Sequence, residues 1–263
     1  MNNILLSPLS KKSQLTEQEV RQLQLQVQKQ QQVIRDLNKE LDSFTYSVSH
    51  DLKGPLTIMN GFVEMLLRDY REELGERGAR LLNRVYSNAG YLTDSIDGLL
   101  RLSRVSGADI TLSHIDVTAT VTELVQQLTL AHPQREVTVV IATDMQVYSD
   151  AELLQEVLQE LLANAWKFTQ YQSVARIEIS QIEHAGQFVL QIKDNGVGFD
   201  KALMEQLFIP LRRLHSSEEF SGKGLGLALV YKMLQRLGGE ITIESASSEG
   251  CCFQLVLPLD TDV

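Results

Sequence analysis

The sequence predicts a fold in two parts: an α-helical hairpin that forms a dimeric four-helix bundle, with a parallel coiled coil on its N-terminal side, followed by an α/β sandwich. The first observation is a seven-residue apolar repeat that continues into helical spacing over residues 16–105. The second is a change, after residue 116, to short strand-like runs between helical runs. With 263 residues, 43% of them hydrophobic, the chain can fill two small cores.

The coiled coil is predicted over 16–42, after a tail at 1–15. One seam of the repeat contains Val20, Val27, Ile34, Leu41 and Val48, and the other contains Leu23, Gln30, Leu37 and Phe44. Branched residues at the first seam position favour a parallel two-stranded coil, and the single Gln30 would help to fix its register. A disordered glutamine-rich tail would not keep this repeat.

The hairpin is predicted over 43–105, with its turn near 75–78. Its second helix has apolar or small residues at helical spacing: Leu82, Tyr86, Ala89, Leu92, Ile96, Leu99 and Ser103. A lone hairpin would leave each apolar stripe half uncovered, so pairing with a second chain is expected. A linker is predicted at 106–116.

The α/β domain is predicted over 117–263. Its helical runs are 117–130, 151–168 and 226–237, and its strand-like runs are 137–142, 176–182, 188–193, 240–245 and 252–257.

The composition argues against several classes of partner. The chain has 24 basic and 34 acidic side chains, and its net charge of -10 opposes nonspecific binding to nucleic acid or anionic lipid. No apolar run is long enough to span a bilayer, and the first residues lack the pattern of a signal peptide. The adjacent Cys251 and Cys252 favour reduced, structural thiols. We therefore expect a cytoplasmic chain with protein and nucleotide partners and without a membrane segment.

Four motifs follow one another in the second half. They are Glu160-Leu-Leu-Ala-Asn164-Ala-Trp-Lys167-Phe168, Asp194-Asn-Gly196-Val-Gly198, residues 208–214, and Gly222-Lys-Gly224-Leu-Gly226-Leu227. Their order and spacing resemble the N, G1, F and G2 boxes of the histidine-kinase ATP-binding domain, which has the Bergerat fold. The first half resembles that family's dimerisation and phosphotransfer domain, with His50 in the H box. The resemblance covers about residues 43–258.

The first motif is suited to a cation and a nucleotide. Glu160 and Asn164 lie four residues apart, so a helix presents a carboxylate and an amide oxygen on one face, as a hard cation such as Mg²⁺ prefers. The resemblance assigns Asn164 to Mg²⁺. Lys167 would meet a phosphate, and Phe168 would pack against the base or its pocket.

The other motifs complete an expected ATP site. Asp194 ends a predicted strand, and the resemblance gives it the adenine amino group, while Gly196 and Gly198 allow backbone to approach the purine. The glycine motif precedes a helix, so its backbone N–H groups and the helix N-terminus can bind phosphates. Arg213 matches the family arginine that reaches toward the γ-phosphate, whereas Arg212 is interpreted as solvated.

His50 is the expected phosphate acceptor. It lies outside the heptad seam, and Asp51 beside it can hold the ring tautomer so that the distal nitrogen attacks phosphorus. Pro55 would interrupt the helical hydrogen bonds and bend the helix nearby.

The expected protein is a homodimeric histidine kinase that uses ATP and Mg²⁺. The resemblance implies transfer from His50 to the receiver domain of a response regulator, under control of an upstream sensor domain or protein. Two alternatives stay open. One is an ATPase of the same fold with Glu160 as hydrolytic base, and the other is a nucleotide-binding scaffold without catalysis.

Overall fold

The structure is a computed structural model that describes residues 17–105, 110–184, 187–212, 220, 224–246 and 249–258. It confirms a helical hairpin followed by an α/β domain. Helix α1 spans Glu17–Asp69 and helix α2 spans Arg71–Val105. The second domain contains β1 (Leu112–Asp116), α3 (Val117–Ala131), β2 (Val137–Ile141), β3 (Gln146–Asp150), α4 (Ala151–Phe168), β4 (Ala175–His184), β5 (Gln187–Asp194), a 3₁₀ helix (Lys201–Gln206), α5 (Gly226–Arg236), β6 (Glu240–Ala246) and β7 (Gly250–Leu257).

Helix α1 is continuous from the heptad segment into the hairpin. Gln, Glu, Leu and Lys are strong helix formers, and they dominate its first half. Pro55 lies inside α1 without ending it. The seam side chains are largely exposed, with Leu37 at 58% and Phe44 at 66%. The predicted helix is therefore present, and its pairing into a coiled coil stays a prediction.

The turn of the hairpin lies at Gly75, within the predicted stretch 75–78. Helical hydrogen bonds continue across Tyr70, from its N–H to Leu66 and from the N–H of Leu74 to Tyr70, whereas Gly75 has non-helical φ 59° and ψ 177°. A positive φ is accessible to glycine without steric cost, so this residue permits the irregular turn. Residues 76–78 are already helical. The predicted position of the hairpin turn is therefore confirmed.

Five strands form one mixed sheet in the order β2-β4-β5-β7-β6. Strand β2 is parallel to β4, and the remaining neighbours are antiparallel. The helices pack on this sheet, and the shared core includes Leu158 and Leu162 of α4, Leu190 of β5 and Leu255 of β7. This arrangement is the predicted α/β sandwich.

A separate two-stranded antiparallel sheet corrects the predicted linker. Residues 112–116, assigned to the linker at 106–116, form β1, which pairs with β3. Both strands are short and polar, and in β1 only Ile115 is buried, so neither shows a clear apolar pattern. The α/β domain therefore includes residues from Leu112 onward. Residues 106–109 of the predicted linker and the tail at 1–15 lie outside the described residues.

Helix α4 carries the first motif and has the predicted limits. Its N-cap Asp150 accepts a hydrogen bond from the backbone N–H of Leu153 at 3.0 Å, which satisfies an otherwise unpaired donor of the first turn. The second carboxylate oxygen of Asp150 accepts from the N–H of Thr111 at 2.7 Å. The cap thus fixes both the start of α4 and the chain that leads into β1.

Candidate functional site

A cavity of about 420 Å³ lies where the hairpin meets the α/β domain. Most of the residues that the sequence singled out in the second half line it: Glu160, Asn164, Lys167, Phe168, Asp194, Gly198, Gly224, Gly226 and Leu227. Gly196 lies beside the cavity, next to Asp194. Gly222 and Arg213 lie outside the described residues.

Helix α4 presents the polar side chains of the first motif to this cavity. The carboxylate of Glu160 faces the glycine motif, because a Cβ built on Gly226 would lie 2.5 Å from its Oε2 atom. The ammonium of Lys167 donates to Oδ1 of Asn164 at 3.2 Å. Burial lowers the pKa of Lys167, and the nearby Glu160 carboxylate partly opposes this shift. A carboxylate, an amide and a partly desolvated cation therefore share one helix face.

An aromatic cluster forms beside this face, and one of its members was missed by sequence reasoning. Phe220 is buried and packs against Phe168, with ring centroids 5.0 Å apart, and against Tyr171 at 5.4 Å. Phe168 and Phe220 both line the cavity. The ammonium of Lys167 lies 4.2 Å from the centroid of the Phe168 ring, a cation–π distance. Phe220 lies outside any motif, so only its aromatic character could have indicated it.

Asp194 is a buried carboxyl group at the end of β5. Its Oδ1 accepts from the backbone N–H of Gly196 at 2.8 Å. Burial raises the pKa of Asp194 to about 6, although hydrogen bonds from the backbone of Gly196 and Cys251 act in the opposite direction. Cys251 is directly opposite Asp194 on β7 and also lines the cavity. A desolvated acceptor of this kind suits recognition of an amino group on a base.

The glycines of the second motif permit close backbone packing. Gly198 has φ 61°, and a Cβ there would clash with the carbonyl of Ala246. A Cβ on Gly196 would lie 2.6 Å from the carbonyl oxygen of Phe168. Both glycines thus bring the loop after β5 against neighbouring backbone.

The glycine motif ends at the start of α5. Gly224, Leu225, Gly226 and Leu227 form one wall of the cavity, so the N-terminus of α5 borders it. Unpaired N–H groups and the helix dipole favour an anion at such a position. Arg212 also borders the cavity and is exposed, in agreement with its interpretation as a solvated residue.

A further wall of the cavity is formed by the hairpin, and this wall was not predicted. Asp94, Asp97, Gly98 and Arg101 of α2 line the cavity together with the α/β domain. The apolar repeat of α2 predicts which face of the helix is buried in the hairpin. It does not predict that another face of α2 contacts the α/β domain.

His50 and Asp51 lie outside the cavity on α1. Their side chains are each 78% exposed, and Nδ1 of His50 lies 3.4 Å from Oδ1 of Asp51. Lys53, three residues further on, pairs with Asp97 of the cavity wall. His50 is thus about one helical turn along α1 from a residue that contacts the cavity wall.

The donor set in the cavity fits a divalent cation held jointly with a nucleotide. Among the described residues, no group of three or more His, Cys, Asp or Glu side chains could hold a metal ion by itself. Glu160 and Asn164 offer two hard oxygen ligands, and Mg²⁺ completes such sets with phosphate oxygens and water.

Comparison with known proteins identifies both halves of the chain. Residues 40–107 match the model of the His Kinase A (phospho-acceptor) domain, and residues 149–261 match that of the histidine kinase-, DNA gyrase B- and HSP90-like ATPase. The chain belongs to the sensor histidine kinases. It contains the phospho-acceptor domain and the ATP-binding domain that together form their catalytic core.

Several relatives of this histidine kinase are cyanobacterial. Phytochrome-like protein Cph1 of Synechocystis is 29% identical over 222 residues, which are 84% of this chain and 30% of Cph1. Cyanobacterial phytochrome B of Nostoc is 31% identical over 223 residues, again 84% of this chain and 30% of the relative. Adaptive-response sensory kinase SasA of Rippkaea orientalis is 30% identical, and the match covers 81% of this chain and 56% of SasA. The histidine kinase core thus spans about 30% of the length of the first relatives.

Solved structures share the fold. Full-length ShkA in complex with AMPPNP has a TM-score of 0.60 at 18% identity, covering 84% of this chain and 46% of ShkA. The histidine kinase AdeS of Acinetobacter baumannii has a TM-score of 0.56 at 21% identity, covering 81% of this chain and 98% of that one. Within the described part of the kinase core, no helix is long and apolar enough to cross a membrane.

Proposed function

We propose that this kinase core binds Mg-ATP in the cavity, transfers the γ-phosphoryl group to His50, and then passes it to an aspartate in the receiver domain of a response regulator. The observation that carries the proposal is the shared cavity wall. Residues of the ATP-binding domain and of α2 line one space, and α2 is tied through Asp97 to Lys53, next to His50 on α1.

Binding is assigned to the cavity residues by their chemistry. Asp194 would accept the amino group of adenine, and Phe168 would pack against the base. The N-terminus of α5, Lys167 and Arg212 would face the phosphates. Glu160 and Asn164 would hold Mg²⁺, which supplies neutralisation of phosphate charge when bound.

The transfer step is assigned to His50. The carboxylate of Asp51 is placed to accept the proton of Nδ1, which leaves the lone pair of Nε2 free. Nε2 forms a bond to the γ-phosphorus, the bond from that phosphorus to the β–γ bridging oxygen breaks, and ADP leaves with the electron pair. The exposed position of His50 leaves it accessible to the ATP-binding domain and then to a receiver domain.

We assign the active form to a homodimer, because the exposed apolar residues of α1 and α2 need a partner. Within the hairpin, Phe62 and Leu92 are 61% and 49% exposed. An upstream sensor domain or protein would act through the N-terminal part of α1.

The ATPase alternative is supported by the position of Glu160. Its carboxylate lies at the cavity wall against Gly226, where a hydrolytic base would be needed. Incubation with γ-labelled ATP separates the two activities. Covalent, acid-labile label on the protein supports the kinase, whereas free phosphate without labelled protein supports the ATPase.

His50→Gln tests the assignment of the acceptor. The variant should lose acid-labile label while nucleotide affinity is unchanged, because His50 lies outside the cavity. His114→Gln is the matched control, since His114 is also an exposed histidine but lies on β1. Label that persists in His50→Gln would exclude His50 as the acceptor.

A further inference from the structure

Arg101 joins the hairpin to the proposed cation site. From α2 its Nη2 atom donates to Oε2 of Glu156 at 2.9 Å, and its Nη1 atom lies 3.6 Å from Oε1 of Glu160. The two glutamates are one turn apart on α4, so both face α2. The carboxylate of Glu160 therefore borders the cavity and also contacts the guanidinium of Arg101, which belongs to the hairpin.

Two further contacts hold α2 in this position. Gly98 lies so close to Leu225 that a Cβ built on it would clash with Cδ1 of that leucine. At the end of α2, the guanidinium of Arg236 on α5 donates to the carbonyl of Val105. These contacts and the ion pairs of Arg101 together form the docked arrangement of α2 on the ATP-binding domain.

The two oxygens of Glu160 face different surroundings. Oε1 is on the side of Arg101, and Oε2 is on the side of Gly226 and the glycine motif. A cation bound with nucleotide phosphates at the glycine motif would approach the same carboxylate from the second side. The charge of each cation then weakens the attraction of Glu160 for the other, and the partly buried setting reduces screening by water.

We propose that Arg101 competes with Mg²⁺ for Glu160, so that docking of α2 and binding of Mg-nucleotide oppose one another. This inference rests on the proposed function, because it requires Mg-nucleotide in the cavity. Thermodynamic reciprocity makes the coupling mutual: Mg-nucleotide loosens the docked α2, and docked α2 lowers the affinity for Mg-nucleotide. Arg101 is a positioning residue in this scheme, since it acts through Glu160.

The first measurement is equilibrium binding of a fluorescent, non-hydrolysable ATP analogue to the full chain, with Mg²⁺ and with EDTA. Arg101→Gln should tighten binding about two- to fivefold with Mg²⁺, the range expected when one partly exposed ion pair is removed, and should give no gain in EDTA. Arg104→Gln removes the same charge from an exposed position on the same helix and should leave both affinities unchanged.

The second measurement is amide hydrogen exchange of residues 98–105. In the wild-type chain, Mg-nucleotide should speed exchange in this part of α2, and nucleotide in EDTA should do so less. Arg101→Gln should show faster exchange before nucleotide is added. Fold integrity is checked in the same experiment by the exchange of β5 and β7, which should not change.

Two results would overturn the proposal. Weaker binding by Arg101→Gln in both Mg²⁺ and EDTA would mean that Arg101 contacts the phosphates instead. Equal behaviour of Arg101→Gln and Arg104→Gln would mean that the ion pair has no coupling to the site. If the wild-type chain binds nucleotide but His50 is not labelled, the proposed kinase activity is refuted and the competition between Arg101 and Mg²⁺ is not. If the wild-type chain binds no nucleotide, both proposals are refuted.

Discussion

The carboxylate of Glu160 lies against the backbone of Gly226, where a Cβ would be 2.5 Å from Oε2. The neighbour that limits the space at Gly226 is the end of a flexible side chain and not backbone. A substitution there should therefore move Glu160 and leave the fold intact.

Gly226→Ala should weaken binding of Mg-nucleotide by about tenfold, because displacing a positioned ligand by about 1 Å is costly. The thermal unfolding temperature should be unchanged, since alanine is favoured in helices. Gly198→Ala is the contrasting variant. Gly198 has φ 61° and packs on the backbone of Ala246, so its substitution should cost about 1–3 kcal/mol or more. Loss of stability in Gly226→Ala would contradict this distinction.

The buried carboxyl group of Asp194 should make the stability of the folded chain depend on pH. Because burial raises its folded-state pKa to about 6, the folded state holds a proton that the unfolded state releases near pH 4. The free energy of unfolding should therefore fall as pH rises from about 4 to about 6, by up to about 3 kcal/mol, and be level above that. Chemical denaturation of the nucleotide-free chain at several pH values measures this.

Asp194→Asn should abolish this pH-dependent decrease, raise the stability of the nucleotide-free chain at pH 7.5, and reduce nucleotide affinity. The control is Asp200→Asn, because Asp200 is exposed and caps the 3₁₀ helix, a role that asparagine also performs. An unchanged pH profile in Asp194→Asn would show that another group is responsible.

Phe220 should contribute to nucleotide affinity through its aromatic neighbours. Phe220→Ala removes its ring contacts with Phe168 and Tyr171, contacts of about 0.5–1.5 kcal/mol each. Nucleotide affinity should fall about tenfold, with a smaller loss in Phe220→Leu, which keeps apolar volume. Calorimetric titration provides the measurement, and wild-type affinity in the alanine variant would exclude this role.

Leu37 tests the pairing of α1. Its side chain is 58% exposed and belongs to the heptad seam, so Leu37→Asp should place a charge in the coiled-coil interface and weaken the dimer. Lys39→Asp introduces the same residue outside the seam and should leave the dimer intact. Sedimentation of both variants at several concentrations decides the matter. Equal dimerisation of the two would mean that the seam is not the interface.

The sequence was most informative where one segment determines its own structure. The limits of α4 were correct because Asp150 caps it and its apolar residues repeat at helical spacing. Asn164 and Lys167 could be placed together for the same reason: their spacing fixes their relative direction on the helix. The glycines near β5 and α5 were found because backbone geometry restricts the residue type.

Sequence reasoning failed where the outcome depended on contacts between distant segments. Among the described strands, β1 and β3 pair with each other and not with the five-stranded sheet, so neither carries the apolar pattern of a central strand. Arg101 meets Glu160 only because the whole α/β domain rests on α2, a relationship that neither helix encodes alone. Phe220 is buried by residues about fifty positions earlier in the chain.

The continuity of α1 limits what kind of information can reach His50. A helix of 53 residues is about 80 Å long. Such a helix can transmit a rotation or a translation from an input domain to His50, but it cannot transmit which ligand the input domain has bound. Input domains that end in a helix are therefore interchangeable in principle, provided that the junction preserves the phase of the heptads. Of the seven possible junction lengths within one heptad, one should preserve the response of kinase activity to the input, and others should abolish or reverse it. A library of fused input domains therefore varies one quantity, the rotation of α1 relative to the input domain.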